Sequence, residues 1–157
     1  MLKKLFFAAI TFVSASLLVI SCHEGVQKNE KSVDIQQLTN QQTEPKGPII
    51  TEEQIKITHP LNQQWVDSGK AIYGLKCQAC HKLTEEKLVG PGWKNVTTRR
   101  TPVWIMNMIT NTEYMLDKDT AAQKLLELCM VRMPNQNLSY QDARHVLEFQ
   151  RNNDGEK

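Results

Sequence analysis

Aromatic side chains make up only 6 % of this chain, so a core must draw its bulk from elsewhere. Cysteine is scarce too, with four residues in 157. Two of the four, Cys22 and Cys129, stand far from each other and from the other pair, which argues against a disulfide framework. An excess of charge is missing as well. Lys3 and Lys4 lie in an apolar leader, and setting them aside leaves 19 − 2 = 17 basic against 17 acidic residues. A near-neutral chain lacks the concentrated basic surface that nucleic-acid binding needs. Long apolar runs are confined to residues 5–20, which are broken by Thr11, Ser14 and Ser16. That run is shorter than the ~20 residues of a membrane-spanning helix.

What the sequence does contain is Cys77-Gln78-Ala79-Cys80-His81. Two thiols two residues apart, followed at once by an imidazole, form the attachment pattern of c-type haem. Each thiol can add across one haem vinyl group, and the adjacent histidine can then ligate the iron as proximal ligand. Cys-x-x-Cys alone is shared with dithiol redox sites and half zinc sites. The histidine gives the pattern its specificity. A buried haem would also supply the apolar bulk that the aromatic content does not.

The leader begins with the basic pair Lys3-Lys4 and ends in Val19-Ile20-Ser21-Cys22. A basic start, a short apolar run and small residues before a cysteine suit a secretory signal. The last four residues resemble a bacterial lipobox. That resemblance implies cleavage of residues 1–21 and lipidation of Cys22, anchoring the mature chain to a membrane on the periplasmic side of the cell envelope. An uncleaved anchor with a free thiol is the alternative. Residues 22–60 are polar, lack a periodic apolar face and carry Pro45, Gly47 and Pro48, so they read as a disordered tether or plain spacer. Thr51-Glu52-Glu53-Gln54 has the pattern of a capping box.

The folded unit is expected over residues 61–157. Asn62 is a candidate N-cap for a helix to Leu75. Within it, Gly69 allows close approach by another helix and Tyr73 lies four residues further on. Residues 82–100 read as loop, punctuated by Gly90-Pro91-Gly92. Thr101-Pro102 starts a helix to about Asn111. Asp119 caps another to Cys129, which falls on the apolar face as a buried free thiol. Ser139, with Asp142 three residues on, opens the last helix, which presents Val146 and Phe149 on one side.

Cys-x-x-Cys-His with Gly-Pro-Gly ten residues further resembles the class I cytochromes c. The resemblance implies an all-α, cytochrome c-like fold, with about four to five helices around one covalently bound haem and a tether before it. It further implies that Gly69 and Tyr73 pack against Val146 and Phe149, and that the carbonyl of Pro91 accepts a hydrogen bond from His81. Such a bond fixes the ring and raises its basicity. Met133-Pro134 followed by Leu138-Ser139 is similar to the family's ligand loop. Proline pushes the residue before it out of helical geometry, so Met133 can point at the iron. Met130, His145 and Met115 are the alternatives. Arg99, Arg100, Trp93, Trp104 and Asn95 are the propionate candidates, by proximity in sequence alone. Gly90-Pro91-Gly92-Trp93 with Arg99-Arg100-Thr101-Pro102 also resembles the anchored monohaem cytochromes of Bacteroidetes.

The function so implied is one-electron transfer by a His81/Met133-ligated haem c, in a protein that is not an enzyme, to or from a respiratory reductase or oxidase. Nitrous-oxide reductase and a terminal oxidase are the partners the resemblance suggests. Residues 70–100 hold seven basic and two acidic side chains, against six and eight in residues 101–157. A basic rim would favour acidic docking surfaces on redox partners; a solvated mixed surface is the alternative. An electron-entry subunit of a larger complex fits the same residues. A haem peroxidase or gas-binding protein requires an open iron site, and no distal His and Arg pair is evident. A dithiol redox protein would require a βαβ pattern, which is missing.

Overall fold

A computed structural model of the chain describes residues 48–157. The leader, Cys22 and the upstream part of the expected tether lie outside the described residues. Six α-helices form the unit: α1 (Gln63–Ile72), α2 (Val96–Arg99), α3 (Pro102–Thr110), α4 (Thr112–Lys118), α5 (Thr120–Cys129) and α6 (Tyr140–Asn153). No strand accompanies them among the described residues; a lone β-bridge joins His81 to Lys87. None of these helices is long and apolar enough to cross a membrane.

The helix starts follow local chemistry. The Asn62 side chain accepts the Trp65 N–H at 3.1 Å, and Asp119 accepts that of Ala122 at 2.8 Å. Thr101 accepts the Trp104 N–H at 3.3 Å, with Pro102 at the first helical position. Ser139 and Asp142 complete the expected capping box. Two helical pieces lie outside the four helices placed along the sequence. The single turn α2 interrupts the stretch read as loop, and α4 follows α3 after one residue, Asn111.

α1 packs mainly on α6. A Cβ on Gly69 would run into the His145 carbonyl and lie 2.8 Å from Phe149 Cβ, so only glycine permits this crossing. The Tyr73 and Phe149 rings sit 5.5 Å apart, as the sequence implied. Val66, Ile105, Met106, Val146 and Leu147 fill the core between α1, α3 and α6. Met115, Leu116 and Ala122 form a second cluster between α4 and α5. After Ile72, α1 ends in a π-helical turn (Tyr73–Cys77), in which the Gln78 N–H reaches the Tyr73 carbonyl at 3.0 Å.

The expected boundary at residue 61 is corrected. Residues 48–60 are part of the folded unit, not tether. Ile50 is buried, and Ile55 and Ile57 pack against the same core. Asn107 holds both the N–H and the carbonyl of Ile50, at 3.0 and 2.8 Å. Arg144 donates to the Lys56 carbonyl at 3.2 Å and Arg151 to that of Thr58 at 3.0 Å. The segment docks through these three isoleucines and its backbone carbonyls, too few apolar positions to stand out as a periodic face. Behind it, the fully buried Glu148 binds Arg144 at 2.5 Å, Arg151 at 2.8 Å and the Asn62 N–H at 2.9 Å.

Candidate functional site

The π turn delivers Cys77 into the interior and starts a tight turn through Cys80, whose N–H bonds the Cys77 carbonyl at 3.0 Å. The His81 N–H bonds that same carbonyl at 2.9 Å. Tyr73 Oη donates to the His81 carbonyl at 2.8 Å, fixing the backbone that carries the imidazole. This Tyr73 role was not read from the sequence; four-residue spacing assigned it to helix packing alone. The loop returns because the Gly90 N–H reaches the Cys80 carbonyl at 2.9 Å.

His81 Nδ1 lies 2.8 Å from the Pro91 carbonyl, the contact the Gly-Pro-Gly motif implied. A carbonyl only accepts, so Nδ1 carries the proton and Nε2 keeps its lone pair. Trp93 stacks obliquely on His81 with centroids 5.4 Å apart. A Cβ on Gly90 would come within 2.9 Å of Nδ1 and 3.0 Å of Nε2, so the imidazole occupies the space a side chain would take. Burial lowers the His81 pKa, and the Pro91 bond offsets part of that effect. The ring is therefore neutral at pH 7, the form that binds a metal.

His81 and Cys80 open onto a cleft lined mostly by apolar side chains. Ile105, Met108 and Ile109 of α3 form one wall, with Leu116 of α4. Leu125, Leu126 and Cys129 of α5 form another. The loop after α5 brings Val131, Met133 and Pro134 to the same cleft. Met130, by contrast, caps α5 with φ of +57° and is 84 % exposed, outside the cleft lining. Neither His145, which bonds Gln141 on the surface, nor the buried Met115 lines the cleft.

The propionate candidates separate. Trp93, Arg99, Arg100 and Trp104 line the cleft, and Asn95 does not. Asn95 instead adopts φ of +58° and gives its N–H to Asp154 at 2.6 Å. Trp104 Nε1 is held by Asp119 at 2.9 Å. Arg99 donates to the carbonyls of Gly92 and Lys94 at 3.0 Å and of Asn95 at 3.2 Å, bracing the loop. Sequence proximity could not show these prior commitments. One cleft residue was not anticipated at all. Gln150 of α6 is 3 % exposed, and its Oε1 has no hydrogen-bond partner among the described residues.

These residues fit a haem. A neutral imidazole and the Cys80 thiol at an apolar slot, the buried Cys77 thiol in the same turn but outside the slot lining, and an orphaned buried amide suit a mostly apolar, metal-centred ring with a polar edge. They fit a dithiol site poorly. Burial, with Cys80 beside it and only Lys76 opposing, pushes the Cys77 thiol up to about 11. Redox-active thiols are activated in the opposite direction.

A profile of the cytochrome c family matches residues 66–153. The chain belongs to the cytochrome c family. Its cofactor is accordingly haem c, covalently bound, with iron. Among solved structures, cytochrome c from Rhodothermus marinus superposes with a TM-score of 0.64 at 29 % identity, covering 68 % of this chain and 90 % of that one. An engineered form, Rma TDE, gives 0.63 at 28 %, covering 68 % and 91 %. The engineered cytochrome bound to a carbene intermediate gives 0.61 at 29 %, with the same coverage. No curated protein matches the sequence. The cytochrome c fold, haem c and electron transfer follow from the family.

Proposed function

We propose that this chain is a membrane-anchored, class I monohaem electron carrier of the periplasmic cell envelope. Cys77 and Cys80 form the thioether links to the haem. His81 Nε2 and the Met133 sulfur are the axial ligands, and Cys22 carries the lipid. The observation that carries the reading is one apolar cleft lined by both His81 and Met133. With both axial positions filled by protein, an electron can be exchanged with little ligand rearrangement. A thioether on one side also raises the potential relative to two imidazoles.

Redox partners with acidic docking surfaces, nitrous-oxide reductase or a terminal oxidase, fit the charge at the cleft. Its lining includes Arg99, Arg100 and Arg132 and no carboxylate. Electron exchange should therefore slow as salt screens that field. The test is the mass and optical spectrum of protein matured with a haem-attachment pathway. Added haem mass, a c-type α-band and the weak long-wavelength band of sulfur-ligated ferric haem are expected. An unmodified polypeptide, or haem without the sulfur band, refutes the attachment or the ligand reading respectively. Lipid on Cys22 is tested separately, by detergent-dependent extraction from membranes and its loss in Cys22→Ser.

A second reading, a gas- or peroxide-binding haem, is favoured by one feature of the Met133 loop. Residues 131–138 make no backbone-to-backbone hydrogen bond among the described residues, so packing and the exposed Arg132–Asp117 pair hold Met133 on the iron side. Rapid carbon monoxide binding to the reduced wild-type protein would support it.

A further inference from the structure

The two buried side-chain atoms without a partner among the described residues are Asn111 Oδ1 and Gln150 Oε1. Asn111 still uses its amide nitrogen, towards Pro48 and Thr110. Gln150 is the one that lines the cleft, on the inward face of α6 beside Phe149. A carboxamide buried in an apolar slot without a partner is a standing desolvation cost, unless something polar enters the slot. The ring that fills the cleft is apolar except at its iron and at the one edge that carries its two carboxylates. His81 and Met133 answer the iron. Of the side chains expected to answer the carboxylates, Asn95 lies outside, and Trp104 and Arg99 are engaged elsewhere. Arg100, its guanidinium 4.8 Å above the Trp104 ring, and Trp93 remain.

We infer that Gln150 is the buried hydrogen-bond partner of one haem propionate. This rests on the reading that haem c occupies the cleft. Half a turn about the terminal bond of the side chain exchanges Oε1 and Nε2 without changing shape, so the amide can present an N–H to a carboxylate oxygen. A neutral donor holds the carboxylate without adding positive charge near the iron. The propionate then keeps its full negative charge, which favours the ferric state. Deprotonation of the propionate therefore lowers the reduction potential as pH rises. The Gln150 N–H, by stabilising the anion, places that fall at a lower pH than burial alone would allow.

The test compares reduction potential against pH for the haem-loaded wild type and Gln150→Met, which keeps length and volume but removes the amide. The pH at which the potential begins to fall should rise by about one unit in the variant, as loss of a hydrogen bond to a charged group implies. Superimposable profiles overturn the inference. If Gln150→Met does not take up haem, the reduced wild type decides by NMR. Side-chain amide protons of Gln150 close to the propionate methylenes are expected; the same protons contacting only water overturn the proposal. Presence of the c-type spectrum in either sample separates this outcome from failure of the haem reading itself.

Discussion

Replacing Glu148 by Gln changes one oxygen for an amino group and removes a negative charge from the interior. Glu148 is fully buried and touches two guanidinium groups, of Arg144 and Arg151, that are each 3 % exposed. It also accepts the Asn62 N–H at 2.9 Å. The amide of the variant keeps the shape but leaves the buried Arg144 without a counter-ion and Arg151 with Glu156 alone. Removing one member of a buried ion pair costs about 3–5 kcal/mol. For a unit of this size, with about 4–8 °C per kcal/mol, even the lower figure implies a fall of roughly 12–24 °C in Tm.

The pH dependence gives a second signature of the same residue. Burial raises the Glu148 pKa, but hydrogen bonds from Arg144 and the Asn62 N–H, with the charges of Arg144 and Arg151, outweigh it and hold the pKa below the usual glutamate value. A carboxyl depressed on folding stabilises the protein above its unfolded pKa of about 4.3, and that stability disappears as pH falls through the folded value. Wild type should therefore lose stability on acidification more steeply than Glu148→Gln, and the two should converge at low pH. Urea unfolding followed by far-ultraviolet circular dichroism measures both effects. A loss below about 1 kcal/mol at pH 7, or parallel acid limbs, would refute the reasoning.

Met133→Ala should abolish the sulfur-ligation band and lower the potential while Met130→Ala leaves both unchanged; the reverse pattern would move the axial ligand to Met130. Gly90→Ala forces the His81 ring aside and weakens the Nδ1–H bond to Pro91. Loss of a bond worth ~0.5–1.5 kcal/mol should raise the potential by about 20–60 mV, since a less basic imidazole stabilises ferric iron less; voltammetry showing no rise would contradict this. Arg132 pairs with Asp117 at 2.9 Å and tethers the start of the Met133 loop. Arg132→Ala should speed carbon monoxide binding to ferrous protein by no more than about five-fold, because exposed pairs contribute under about 1 kcal/mol; high salt should mimic it, and a salt-independent rate would exclude the tether.

Much of this site was legible because its chemistry is local. The thiols, His81, Pro91 and the capping residues Asn62, Thr101, Asp119 and Ser139 act within a dozen residues of their partners. What escaped depends on distant groups. The docking of residues 48–60 relies on backbone carbonyls meeting Asn107, Arg144 and Arg151, residues some 57 to 93 positions away. Asn95, a propionate candidate by sequence proximity, lies outside the cleft lining, its backbone N–H bonded to the distant Asp154. Gln150 was invisible because one polar residue on an apolar helix face carries no pattern of its own.

The π turn at Tyr73–Cys77 has a consequence for how this lineage could lengthen or shorten its chain. Removing one residue from an ordinary helix rotates everything beyond it by about 100°. A turn already wound one residue wide lets Tyr73 stay in register with Phe149 while Cys77 takes its own bearing. Deleting Gly74 or Leu75 would tighten the winding, leave the helix crossing untouched and swing the thiol away from its vinyl group. Single-residue indels should therefore be selected against here, even though a Cβ on Gly74 would meet only open space and Leu75 is 84 % exposed.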